Sequence, residues 1–186
     1  MNLKFSALII FLALMTNAQS QRTAEDWFNE GFIQDLQGNY TEAIQAYDEA
    51  IKLKPDYAEA WNNKGFAFFK MGKYNESLQA ANRSLELEPI AENWDTKGAA
   101  LYGLGKYEEA LECYNKAIEL NSEIGEVWYH KAEALKALGR DAEAEAAYAR
   151  VEKMELNFNS RPENLTPELM ENQEETTNKS WWQFWK

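Results

Sequence analysis

The single histidine, His130, and the single cysteine, Cys113, are the residues on which nucleophilic or acid–base chemistry would have to be built. Such chemistry brings a nucleophile, a base and an orienting group into contact. Here the two lie in different segments. Cys113 reads as a small packed side chain and His130 as a polar residue on a helix face, so no catalytic set is expected and the chain reads as a non-enzyme. Gly103, Leu104, Gly105 and Lys106 look like part of a phosphate loop. That motif requires Ser or Thr after the Lys and a Gly five residues before the second Gly, where Tyr107 and Ala100 stand.

The carboxylates form no Asp-rich calcium loop, and no His or Cys cluster has metal-ligand spacing, so neither a metal nor a cofactor is expected. Five glycosylation-type sequons begin at Asn39, Asn75, Asn82, Asn164 and Asn178. They matter only where the exporting cell has the machinery, and chance accounts for them equally well. A formal net charge of -12 and a pI near 4.6 oppose sequence-independent binding to nucleic acid, which needs a basic surface to release counterions. A cationic, neutral or apolar partner is easier to accept.

Residues 1–18 read as a secretory signal peptide: Lys4 is its positive start, Phe5 to Met15 its apolar run, and Thr16 and Ala18 the small residues before a cleavage after Ala18. That run is eleven residues, whereas crossing a bilayer takes about 20, so a retained span is the weaker reading. A secreted or extracytoplasmic location follows. One cysteine permits no intramolecular disulfide, and none follows the signal to carry a lipid, so stability must come from packing.

The elements that would do this packing are announced by a period. Trp27, Trp61, Trp94 and Trp128 recur at spacings of 34, 33 and 34. Four residues after each come Gly31, Gly65, Gly98 and Ala132, and seven further on Gly38, Gly72, Gly105 and Gly139. Ala43, Ser77, Ala110 and Ala144 follow, then Ala50, Ser84, Ala117 and Val151. The small residues let two helices approach closely, the second glycine supplies the left-handed turn that ends the first helix, and Pro55 and Pro89 close the second.

At these positions the sequence resembles the tetratricopeptide repeat family over residues 24–158. The departures are a second repeat one residue short, Ala81 where Tyr47, Tyr114 and Tyr148 stand elsewhere, and Ser122 and Leu156 in place of the prolines. The resemblance implies an all-α fold, a right-handed α-solenoid of four helix hairpins at 24–57, 58–90, 91–124 and 125–158. It also implies a protein-interaction scaffold that binds a peptide or helix of a partner in its concave groove.

In that family the groove is lined mainly by first helices. The matching positions give Phe28, Asn29, Phe32 and Asp35, then Asn62, Asn63, Phe66 and Phe69. The third repeat gives Asp95, Thr96, Ala99 and Tyr102, and the fourth Tyr129, His130, Glu133 and Lys136. Aromatic rings there would anchor apolar side chains while amides bond a backbone, although about half of the rings are expected to pack between repeats instead. Glu25, Glu59, Glu92 and Glu126, each two residues before a Trp, would line one edge or simply favour helix starts. Relatives that hold a partner's terminal carboxylate use Lys, Asn and Arg; Phe28 and Phe32 stand at the matching first-repeat positions, which disfavours that ligand.

Residues 159–186 form a polar tail. Thr166 as N-cap and Pro167 as first residue allow a short helix over 167–175 that could cap the last repeat. The chain then ends in Trp181, Trp182, Gln183, Phe184, Trp185 and Lys186. This aromatic segment could dock at a membrane interface or on a protein, which gives the alternative reading of a membrane-surface scaffold or assembly factor.

Overall fold

The computed structural model describes residues 22–159. The signal segment, the 167–175 helix and Trp181, Trp182, Phe184 and Trp185 lie outside the described residues. Within them are eight α-helices: α1 (Ala24–Leu36), α2 (Tyr40–Leu53), α3 (Ala58–Lys70), α4 (Tyr74–Leu87), α5 (Ala91–Gly103), α6 (Tyr107–Leu120), α7 (Gly125–Ala137) and α8 (Asp141–Asn159). None of these is long and apolar enough to cross a membrane.

Each hairpin turn is made the same way. After α1, the Gly38 N–H donates to the Asp35 carbonyl and the Asn39 N–H to the Gln34 carbonyl, both at 2.9 Å. This pair of bonds satisfies the orphan carbonyls of the helix end and requires a left-handed residue. Gly38, Gly72, Gly105 and Gly139 take φ of 77, 71, 75 and 72°, as the repeat predicts. The second helices stop where the chain turns extended. At Lys54 and Glu88 the following proline enforces this, and at Asn121 the side chain takes over, its Oδ1 accepting from the Glu123 N–H at 3.0 Å.

The missing residue of the second repeat falls in the loop between α4 and α5. In the longer loops Trp61 Nε1 donates to the Pro55 carbonyl at 3.1 Å and Trp128 Nε1 to that of Ser122 at 2.9 Å. In the short loop Asn93 closes the end of α4 from within the core, donating to the Glu88 carbonyl at 2.6 Å.

The pairs pack through their small residues. A β-carbon on Gly31 would lie 2.6 Å from the Tyr47 ring, and one on Gly98 2.5 Å from that of Tyr114. Those rings therefore pack directly against bare backbone, buried in their pairs. In the second pair Ala81 replaces the ring, and Gly65 approaches Ala80, Ala81 and the Thr96 methyl at ordinary to tight contact. In the fourth, Ala132 leaves no bare backbone; Tyr148 is only half-buried, and its hydroxyl donates to Glu133.

Besides packing on their chain neighbours, the first helices of successive pairs (α1, α3, α5 and α7) touch one another. They form the inner side of the solenoid, with the second helices outside.

A cation lies over each repeat tryptophan: Lys64 over Trp61 at 5.0 Å, Lys97 over Trp94 at 5.5 Å and Lys131 over Trp128 at 5.1 Å. The first repeat has Glu30 at the lysine position. There Arg22 stacks on Trp27 at 3.8 Å and meets Glu30 at 3.6 Å.

Candidate groove on the inner face

Four first helices present their inner residues in a row, and at two positions of the repeat burial depends on whether a preceding pair covers them. At the position two after each Trp, Asn29 is exposed while Asn63, Thr96 and His130 are buried against the helix before them. Ile33 shows the same end effect: it is 48% exposed, whereas Ala67, Ala100 and Ala134 at its equivalents are fully buried.

The predicted groove rings divide. Phe28 is buried against Tyr47 and Tyr57, with ring centroids 5.8 and 5.0 Å away, and Phe66 is also buried. Phe32, Phe69 and Tyr102 are half-buried, and Tyr129 is 43% exposed. Phe69 and Tyr102 lean on the first residue of their second helices, Tyr74 and Tyr107, at 5.7 and 5.2 Å. Tyr129 lies between His130 and Tyr148. Ala99 is buried and Lys136 exposed. Of the edge glutamates, Glu25 and Glu59 are exposed and Glu92 and Glu126 partly covered. Exposed though Glu59 is, desolvation by the surrounding chain and then the charge of Glu88 push its carboxyl above the usual carboxylate range.

Polar groups cluster at two places. At the junction of the first two pairs, the Tyr47 hydroxyl donates to Asp35 Oδ2 at 2.9 Å. Burial pushes the Asp35 carboxyl up to about 7, against the lowering effects of that hydrogen bond and of the Lys70 charge. Asp35 Oδ1, Asn62 Oδ1 and both polar side-chain atoms of Asn63 are buried without a hydrogen-bond partner among the described residues. Asn63 approaches the Tyr47 hydroxyl closely enough to affect it, but not in the geometry of a hydrogen bond.

At the junction of the last two pairs, His130 Nδ1 lies 2.8 Å from Asp95 Oδ1. Burial opposes charge on this imidazole, yet the Asp95 carboxylate and its hydrogen bond carry the ring above its ordinary value. Glu126 stands one turn before His130 on α7. Ligand-type atoms of Asp95, Glu126 and His130 all lie within 4.8 Å of one another. Lys70 sits between the two clusters: burial lowers its ammonium, while Glu126 and Asp35 act to raise it.

The sequence pattern placed Asp95 and His130 in the groove and Glu126 at its edge without joining them. The signal that joins them is the stacking of the repeats, which sets Asp95, one after Trp94, against His130, two after the next repeat Trp. Cys113 is buried in the packing of the third and fourth pairs, where burial pushes its thiol up to about 11. A thiol so held stays protonated and unreactive at neutral pH.

This geometry defines a helical-repeat array with a polar and aromatic inner face. Tetratricopeptide repeat profiles match residues 58–89, 96–123 and 125–158, and a further TPR repeat profile matches residues 36–72. The chain belongs to the tetratricopeptide repeat family. Its fold is similar to a crystal structure of MamA, 20% identical over 75% of this chain and 82% of that one, with a TM-score of 0.66. The structure of MamA from residue 41 to its end, from Desulfovibrio magneticus RS-1, is 22% identical over 74% and 78%, with a TM-score of 0.65. The first TPR of Spaghetti (RPAP3), solved with the HSP90 peptide SRMEEVD, is 25% identical over 63% of this chain and 94% of that one, with a TM-score of 0.60. No curated protein matches the chain in sequence.

Proposed function

We propose that this chain is an exported, non-enzymatic scaffold that holds a peptide or helix of a partner protein against α1, α3, α5 and α7. The observation that carries this reading is the set of half-buried and exposed rings that successive first helices present, Phe32, Phe69, Tyr102 and Tyr129. Rings left open along one face offer apolar anchors for the side chains of a bound peptide or helix. The RPAP3 repeat shows such a fold holding a peptide. Its ligand is acidic at the C-terminal half, whereas the groove here carries Asp95, Glu126 and Glu133, so the favoured partner here is neutral, apolar or cationic.

Selection of a displayed random-peptide library on the full chain tests this. Enriched peptides should compete with one another and lose affinity for Phe69→Ala with Tyr129→Ala. An unenriched pool, or peptides indifferent to those substitutions, would count against a groove ligand. Export is supported by the leader-like residues 1–18, and mass spectrometry of the mature N-terminus should find cleavage after Ala18.

A second reading rests on Trp181, Trp182, Phe184, Trp185 and Lys186. Rings lie well at headgroup level and a terminal cation meets anionic lipid, so these residues suit a membrane-surface scaffold or assembly factor. Truncation after Ser180 should then abolish co-sedimentation with anionic liposomes, and unchanged sedimentation removes this reading.

A further inference from the structure

We infer that Asp95, Glu126 and His130 form a binding site for one divalent transition-metal ion, of the Zn²⁺ class, on the inner face between the third and fourth helix pairs.

The three side chains come from two helices that the solenoid forces together. Glu126 and His130 are four residues apart on α7 and so share one face of that helix. Asp95 faces them from α5, the first helix of the preceding pair. Their ligand-type atoms, one ring nitrogen and two carboxylate oxygens, lie within 4.8 Å of one another, and a side-chain adjustment of about 1 Å would bring them to the roughly 3.3–3.6 Å that separates ligands held at about 2.0–2.2 Å from one tetrahedral ion. The His130 and Asp95 side chains are only 8% and 15% exposed. Two partly desolvated carboxylates beside an imidazole are poorly solvated by water and well solvated by a dication.

The donor set chooses the ion. An imidazole nitrogen suits Zn²⁺ and its first-row neighbours and is a poor partner for Mg²⁺ or Ca²⁺, which select all-oxygen shells. Three protein ligands leave at least one position of a four-coordinate ion for another ligand. The opposing feature is Lys70, whose charge acts on both Glu126 and His130 and which an arriving ion must displace or outcompete. The proposal does not depend on the peptide reading, because the site is complete within this chain and is tested without any peptide.

His130 is the only histidine in the sequence, so its ring signals in a proton spectrum need no assignment by mutation. Chelator-treated full-length chain should bind one Zn²⁺ in a calorimetric titration, and the same addition should shift the His130 ring signals to a stoichiometric end point. Glu126→Gln and Asp95→Asn should each weaken binding by about tenfold or more, and His130→Gln should abolish the tight phase. Mg²⁺ at the same concentration should leave the ring signals in place. Should His130→Gln fail to fold, the two carboxylate variants and the spectrum decide alone. The proposal is overturned by ring signals that do not move with Zn²⁺, by equal shifts with Mg²⁺, or by Zn²⁺ affinity unchanged in both carboxylate variants, which would place the ion on the general acidic surface.

Discussion

The Tyr47 hydroxyl donates to Asp35 Oδ2 at 2.9 Å inside the first helix pair, and both side chains are buried. Because burial holds the Asp35 carboxyl at about 7, the folded chain binds a proton there that the unfolded chain has lost. The unfolded carboxyl titrates near 3.9, so between roughly pH 4 and 7 the native state carries more protons and stability falls as pH rises. Asp35→Asn should flatten that part of the stability-versus-pH curve by up to about 4 kcal/mol at pH 7, measured by urea unfolding at several pH values. A curve whose slope is unchanged in the variant would show that Asp35 is ionised in the fold.

Tyr47→Phe removes the donor and leaves the carboxyl buried with less support. Unfolding in urea at pH 7 should show a loss of about 1–3 kcal/mol, larger than the same change at half-exposed Tyr148.

The helix-pair glycines should differ among themselves. Gly98→Ala drives a methyl into the Tyr114 ring and should destabilise by about 1–3 kcal/mol, whereas Gly65→Ala meets only ordinary to tight contacts and should fall within about 1 kcal/mol of wild type. A large residue at Gly65 should still destabilise by overpacking. Equal thermal shifts for the two alanine variants would contradict the contacts given for Tyr114.

Much of this was legible because a repeat writes the same instruction four times. The tryptophan period and the turn glycines follow from residue types that few other backbones require. Burial along the inner face was less legible. Phe32 and Phe66 occupy the same position of the repeat, and Phe66, which has a pair before it, is buried while Phe32, which has none, is half-buried. Asp95 and His130 are 35 positions apart, so no local spacing joins them, and their contact exists only once two pairs stack.

The rings of the groove make separate predictions. Phe66→Ala removes a buried side chain and should lower stability by about 3–5 kcal/mol. Tyr129→Ala, being exposed, should change stability little, by about 0.5 kcal/mol or less. Thermal unfolding of the two variants measures this, and a reversed order would exchange their assignments to core and groove.

The central claim, that the inner face binds a peptide, is tested most directly by calorimetric titration of a library-selected peptide into wild type and into three variants. Tyr129→Ala and Tyr102→Ala should each weaken binding by about tenfold while the chain stays folded, because these exposed and half-buried rings would engage the ligand directly. Glu49→Ala, on the outer helix α2, should leave the affinity unchanged. Peptide affinity that survives both inner-face substitutions, or that falls only with the outer one, would contradict the assignment of the groove.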